Sequence, residues 1–273
     1  MGINSKVLRW SVVAAILLLA AQLSWAGPRI QNWQTANGAE VLFLEAPDLP
    51  MVDIRVVFDA GSARDGGTPG LAALTNGLLT DGAGRWDADQ IAERLEAVGA
   101  EMGAGARRDM AWVSVRTLTE TKPLAISVET MAAVLAQPLF KESDLERNRQ
   151  AMLVSLRRAE QNPGTVAKKA YYKAVFGDHP YAINTPGEAD SLVAITRQDV
   201  QSYHRRYYAA ANAVVAIVGA VDRGQAEKLA HQVTAKLAKG EHAPPLPAVP
   251  SLSDGQLLAK RFPSSQTHIL MGQ

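Results

Sequence analysis

The chain has 273 residues and no cysteine. A disulfide framework is therefore excluded, as is a lipid-attachment cysteine behind a leader. Charge of one sign is also missing. Lysine and arginine number 28 against 27 acidic residues, which gives no polyelectrolyte signal and argues against a nucleic-acid partner. Glycines 99, 103 and 105 give a glycine-rich look around EMGAGA, yet no G-x-G-x-x-G follows a strand and no G-K-[ST] exists, so a nucleotide site is disfavoured. None of Ser62, Ser114, Ser143, Ser264 and Ser265 has a G-x-S-x-G setting, which disfavours a serine hydrolase. Histidine is sparse: His179, His204, His231, His242 and His268 are all there are, and no two form H-x-x-x-H or H-x-x-E-H. His179 precedes Pro180 and is expected to bond backbone in a turn. His204, beside Arg205 and Arg206, is expected to be exposed. Arg107-Arg108 and Arg157-Arg158 read as solvated turns and helix faces.

The one long apolar run is at the start. Lys6 and Arg9 precede Trp10 to Leu23, and Ser24-Trp25-Ala26 follows with small residues at the −3 and −1 positions. This is the pattern of a secretory signal peptide, residues 1–26, cleaved after Ala26. The rival is an uncleaved anchor, but the apolar run is short for a span. Apolar content of 47% and charged content of 20% suit a globular domain large enough to bury a core without staples. Export without cysteine points to the periplasm, with no stable membrane insertion after cleavage.

Along the chain, Ile30–Leu44 reads as a hairpin about a two-residue Asn37-Gly38 turn. Val52, Ile54, Val56 and Phe58 alternate with more polar neighbours as a one-faced strand. Asp87 caps a helix through Val98, ended by Gly99. Glu101–Ala106 and Met110–Leu118 pair as strands, and Leu124–Leu135 is helical. A long helix begins at Ser143 with Glu146 at the capping-box position and runs to Arg158. Asn162-Pro163-Gly164 breaks it, and Val166–Phe176 is helical again. Thr196 with Asp199 opens the next helix. AVVAIVG (213–219) reads as a fully buried strand, and Asp222 caps a helix to Leu237. Residues 239–250 (KGEHAPPLPAVP) form a proline-rich extended linker, with strands at Gln256–Phe262 and Thr267–Met271 beyond it. Strand pairs interleaved with helices, without regular βαβ alternation, give an α+β fold: a mostly antiparallel sheet with helices on one face. The domain spans 27–238, and 251–273 would open a second, similar one. Two strands bury too little to stand alone, so the chain is read as a truncated product, or those strands join the first sheet.

Residues 69–84, PGLAALTNGLLTDGAG, carry the functional signal. Pro69 suits a first helical turn, Leu71, Leu74, Leu78 and Leu79 share an apolar face, and Gly82 and Gly84 end the helix. The segment resembles the zinc helix of the pitrilysin/insulinase metallopeptidases, the inverzincins, in which Gly-Leu-Ala precedes H-x-x-E-H and a distant glutamate completes the metal site. Gly70, Leu71 and Ala72 match that lead. The two ligand histidines fall on Ala73 and Gly77, the general base on Asn76, and the third ligand, with 76 residues between it and Gly77, on Val154 within LERNRQAMLVSLRRAEQNP. Residues 176–222 resemble the family too, in the His-Pro-Tyr turn, the Tyr-Tyr pair and the strand ending in Val-Gly.

Alanine, glycine and valine side chains offer zinc no donor, and a neutral amide cannot take a proton from a zinc-bound water. The resemblance therefore implies a non-catalytic subunit without metal or other cofactor. Its partner would be a catalytic pitrilysin-type subunit bearing H-x-x-E-H and zinc, and peptide substrates would be held between the two, by strand addition to a sheet edge. The alternative is a stand-alone periplasmic peptide-binding or scaffold protein derived from a peptidase. An active zinc peptidase is a third reading, and it needs ligands from elsewhere in the chain.

Overall fold

In the computed structural model the described residues are 29–252 and 255–272. The signal-peptide reading of residues 1–26 lies outside them. Regular structure begins with β1 (Gln31–Gln34) and β2 (Glu40–Glu45), followed by β3 (Met51–Phe58), α1 (Leu71–Gly77) and a short ribbon, β4 (Gly82–Ala83) with β5 (Trp86–Asp87). Then come α2 (Ala88–Glu96), β6 (Glu101–Ala106), β7 (Ala111–Leu118), α3 (Thr121–Ala136), α4 (Glu142–Glu160) and α5 (Pro163–Phe176). The series closes with α6 (Ala189–Ala194), α7 (Arg197–Tyr207), β8 (Ala213–Gly219) and α8 (Arg223–Thr234). The residues from Asn32 onward form one compact unit.

Six strands form one sheet in the order β1-β2-β8-β3-β7-β6. The β2–β8 pair is parallel, while β8–β3, β3–β7 and β7–β6 are antiparallel. Val52, Ile54, Val56 and Phe58 of β3 are buried, as are Val113 and Val115 of β7, Val215 and Ile217 of β8, and Val41 and Phe43 of β2. All point to the side where the helices pack; α3 lies against β7 and α8 against β8 and β2. The opposite face carries Asp53, Arg55, Trp112, Ser114, Arg116 and Val218, which are exposed or half-exposed. The α+β architecture, mainly antiparallel with helices on one face, is as the interleaving of strand pairs and helices implied. Strand β8 is not fully buried, because only its alternate residues meet helices; Val218 is 39% exposed on the open face.

Several local expectations are corrected. The β1–β2 connection is five residues, 35–39, not a two-residue turn: the Thr35 N–H bonds the Ala39 carbonyl, and the Asn37 amide donates to the Thr234 carbonyl. Helix α1 starts after Pro69 and stops at Gly77, because Gly70 is left-handed at φ 98° and β4 begins at Gly82. Ser143 caps nothing: α4 begins at Glu142 with Lys141 as N-cap, and Glu146 instead accepts from Arg149 and Gln150. The capping boxes at Asp87, Thr196 and Asp222 are formed. Residues 239–252 carry no helix or strand, and Gln256–Phe262 and Thr267–Met271 form no strand, on their own or with the sheet. Leu257, Ile269 and Met271 stay exposed there, so nothing in the described chain covers their apolar surface. Among the described residues no helix is long and apolar enough to cross a membrane.

Candidate functional site

The site is built on α1, whose start is held from two sides. Gly70 lies so close to the loop before α6 that a Cβ would sit 2.8 Å from Leu192 Cδ2 and 3.1 Å from Gly187 Cα. Asp65 supplies the cap that Gly70 cannot: its carboxylate accepts the Gly70 N–H and the Ala72 N–H, both at 2.7 Å. The acid is 4% exposed, and burial pushes it up to about 7 against the opposing pull of those two backbone bonds. Asp65 was not singled out from the sequence. The signal was present as an acid shortly before a helix whose own N-cap is glycine.

Helix α1 packs against β6, β7, α4 and α7. It presents Ala73 half-buried and Gly77 exposed, while Val154 on α4 is 38% exposed. Asn76 points the other way in effect. It is 2% exposed, and its amide nitrogen donates to the Tyr208 hydroxyl at 3.1 Å and to the Trp112 carbonyl at 3.3 Å. Burial raises the Tyr208 phenol, so it remains a neutral acceptor for that bond. Asn76 is thus tied into the core as a bridge between α1, β7 and the end of α7.

These residues do not fit zinc. Ala73, Gly77 and Val154 bring no donor atom, and the one polar group, Asn76, spends its amide nitrogen on core partners. Among the described residues no group of three or more His, Asp or Glu side chains stands where it could hold a metal ion. Where a shared ion would cross-link the two helices, polar contacts do so. The Asn148 amide on α4 donates to the Asp81 carboxylate just beyond α1, and Arg147 reaches Asp81 at 3.1 Å and Asp144 at 2.6 Å.

Three further buried polar groups fasten the surrounding shell. Arg149, 7% exposed, donates to the carbonyls of Leu192 and Ile195 and pairs with Glu146, so α4 grips α6 through its end. His204 is 8% exposed rather than solvent-facing, because Val200, Tyr203, His204 and Tyr207 share the inner face of α7. It bonds the Leu135 carbonyl and stacks on Tyr208, and burial lowers its imidazole to about 4. Arg108 is not a solvated turn residue either: it bonds the Tyr181 and Ile183 carbonyls and lies 3.9 Å over the Tyr172 ring. His179 does bond backbone, accepting from the Tyr181 N–H and reaching the Pro247 carbonyl in the extended segment. Beside all this runs β6, last in the strand order, with no strand on its outer side among the described residues.

Comparison with known proteins agrees with this layout. The insulinase (peptidase family M16) model matches residues 40–188, and the peptidase M16 inactive domain model matches 194–273. An uncharacterized zinc protease of Mycobacterium leprae is 28% identical over 240 residues, 86% of this chain and 54% of that protein. A probable mitochondrial-processing peptidase subunit beta of Arabidopsis thaliana is 25% identical over 214 residues, 78% of this chain and 40% of that one. The crystal structure of a peptidase M16 inactive domain from Pseudomonas fluorescens superposes with a TM-score of 0.80 at 40% identity, covering 81% of this chain and 54% of that one. Pitrilysin shares the fold, with a TM-score of 0.72 at 22% identity over 84% of this chain and 25% of its own. The chain spans about half the length of the curated relatives it matches first. With the insulinase model covering residues 40–188, more than half of the sequence, the chain belongs to the insulinase family of peptidases, M16.

Proposed function

We propose that this chain is the non-catalytic, zinc-less member of a periplasmic two-component pitrilysin-type peptidase. It shapes the substrate chamber and positions peptides, while a partner subunit bearing H-x-x-E-H performs hydrolysis. One observation carries the reading: the four positions of the family's metal chemistry are Ala73, Asn76, Gly77 and Val154, and the single polar one is bonded into the core. A group that must accept a proton cannot be an amide whose NH2 is held by Tyr208 and Trp112. The outer edge of β6 supports peptide binding, since an extended peptide can add there through main-chain hydrogen bonds. Helix α1 packs against the same strand, so an added peptide would run beside the emptied helix.

The test uses the natural full-length protein, alone and mixed with the H-x-x-E-H relative that co-purifies with it. Metal analysis and cleavage of unfolded casein are measured. The expected result is no stoichiometric zinc and no cleavage alone, with cleavage by the mixture exceeding that of the partner by itself. Zinc at one per chain, or cleavage by the isolated chain, overturns the reading. Failure to recover any such relative turns it toward a stand-alone binding protein.

A further inference from the structure

The open face of the sheet is not uniform where it meets the β6 edge. Register places three rows across β3, β7 and β6: Asp53–Arg116–Glu101, Arg55–Ser114–Gly103 and Val57–Trp112–Gly105. In the first row the charges are already spent. Arg116 grips Asp53 with two bonds, at 2.9 and 3.1 Å, and Glu101 stands exposed at the end. In the other two rows the edge strand has no side chain on this face at all. A Cβ on Gly105 would lie 2.5 Å from Trp112 Cζ2, so the indole lies over the glycine, and Gly103 has only the Ser114 hydroxyl beside it. The result is an open trough of about 440 Å³ whose polar lining is Asp53, Arg55, Glu101, Ser114 and Arg116, with Gly103 as its bare floor.

With Asp53 taken up by Arg116, Arg55 is the trough's cation outside any ion pair among the described residues, set apart from Glu101. Arg55 and Arg107 each place their guanidinium carbon 5.6 Å from the Trp112 ring centroid, and neither makes an ion pair among the described residues. Two planar cations held at an aromatic face, with forks free, are matched by a carboxylate. Glu101 repels such a group from the opposite end of the trough, so the carboxylate belongs over Gly103, beside the indole that covers Gly105.

We propose that this trough is an acidic-side-chain subsite. An extended peptide added along β6 lays one side chain of every two across the open face, and a glutamate or aspartate there meets Arg55 with its methylenes on Trp112. The inference rests on strand addition at β6 and adds to it a preference in sequence: acidic at the Gly103–Gly105 position, not basic. The bare Gly103 makes room for it, and the arginines select it.

Fluorescence anisotropy of labelled, end-blocked peptides tests this on the full chain. The probes are Thr-Val-Thr-Glu-Thr-Val-Thr, its Gln and Lys counterparts at the central position, and the Glu peptide N-methylated at alternate residues. The Glu peptide is expected to bind about tenfold tighter than the Gln peptide, and the Lys peptide weaker still, with the differences shrinking in high salt. Arg55 is exposed on a strand surface, so Arg55→Ala leaves the fold in place. It should bring the Glu peptide down to the Gln level without changing the Gln peptide, and Arg55→Lys should restore part of the preference. Equal binding of all three unmethylated peptides, unaffected by Arg55→Ala, overturns the subsite and leaves strand addition standing. Undiminished binding of the methylated peptide, or no binding by any peptide, overturns strand addition and the subsite with it.

Discussion

Replacing Asp65 by asparagine should change how stability depends on pH more than it changes stability itself. In the folded chain the acid is raised to about 7 from an ordinary value of 3.8, with burial as the main cause. The native state therefore holds a proton that the unfolded chain has released. Stability from this group is full below about pH 4 and is lost as pH rises through about 7. A gap of roughly three pH units, at about 1.4 kcal/mol each, makes the whole effect about 4 kcal/mol. His204 works in the opposite sense. Its imidazole is lowered to about 4 from 6.5, so its contribution is present above 6.5 and lost as pH falls through about 4. Between those limits the two slopes nearly cancel in the unmodified protein, and its urea-unfolding curve should be close to flat from pH 4.5 to 6.5. Asp65→Asn removes one of the pair. Asparagine keeps an acceptor for one of the Gly70 and Ala72 N–H groups and turns its NH2 toward the other, a cost of about 1–3 kcal/mol near pH 4.5. The variant should then gain on the parent by about 1.4 kcal/mol per pH unit, and overtake it before pH 8. Urea midpoints at half-unit intervals from pH 4.5 to 8, with m-values checked for constancy, measure the difference. Parallel curves for parent and variant would refute the account of Asp65 as a buried, proton-holding cap.

Three more outcomes follow from the same shell. Gly70→Ala forces a Cβ onto a residue at φ 98° and into Leu192, so thermal unfolding should show a loss of about 2–4 kcal/mol, and amides 71–74 should exchange faster. Arg149→Met leaves the Leu192 and Ile195 carbonyls without their donor; chemical denaturation should show about 2–4 kcal/mol lost, with exchange protection falling first in α6. Thr75 is fully buried and its hydroxyl has no hydrogen-bond partner among the described residues, so Thr75→Val should stabilise by about 1 kcal/mol, read as a higher urea midpoint at unchanged m.

What the sequence disclosed was what repeats or what stands at a fixed offset. Alternation in β3 announced a one-faced strand, and Asp87, Thr196 and Asp222 announced helix starts, because each signal lies within a few residues of its effect. The four substituted positions were legible by spacing against a family pattern. What stayed hidden was long-range. Nothing near His204 says that Leu135, 69 residues back, will supply its acceptor, and its arginine neighbours suggested solvent instead. Likewise Asp65 caps a helix from outside it, and Arg149 satisfies carbonyls more than 40 residues away. The apolar pattern in 256–271 looked like strands because β-propensity is local, but a strand also needs a neighbour, and none in the described chain pairs with it.

The place of β8 has a consequence for how the molecule forms. It wedges between β2 and β3, pairing Val41 with Val215 on one side and Val56 with Val215 on the other. The β6–β7 hairpin can zip up from neighbouring chain and β3 joins it across the α1 and α2 segment, but β1 and β2 have nowhere to attach until residues 213–219 arrive. The slowest step in folding should therefore be a late, long-loop closure that admits one central ribbon. Until it does, the valines of β2 and β3 stand as unsated edges, the moment at which a nascent chain most needs shelter from its own kind.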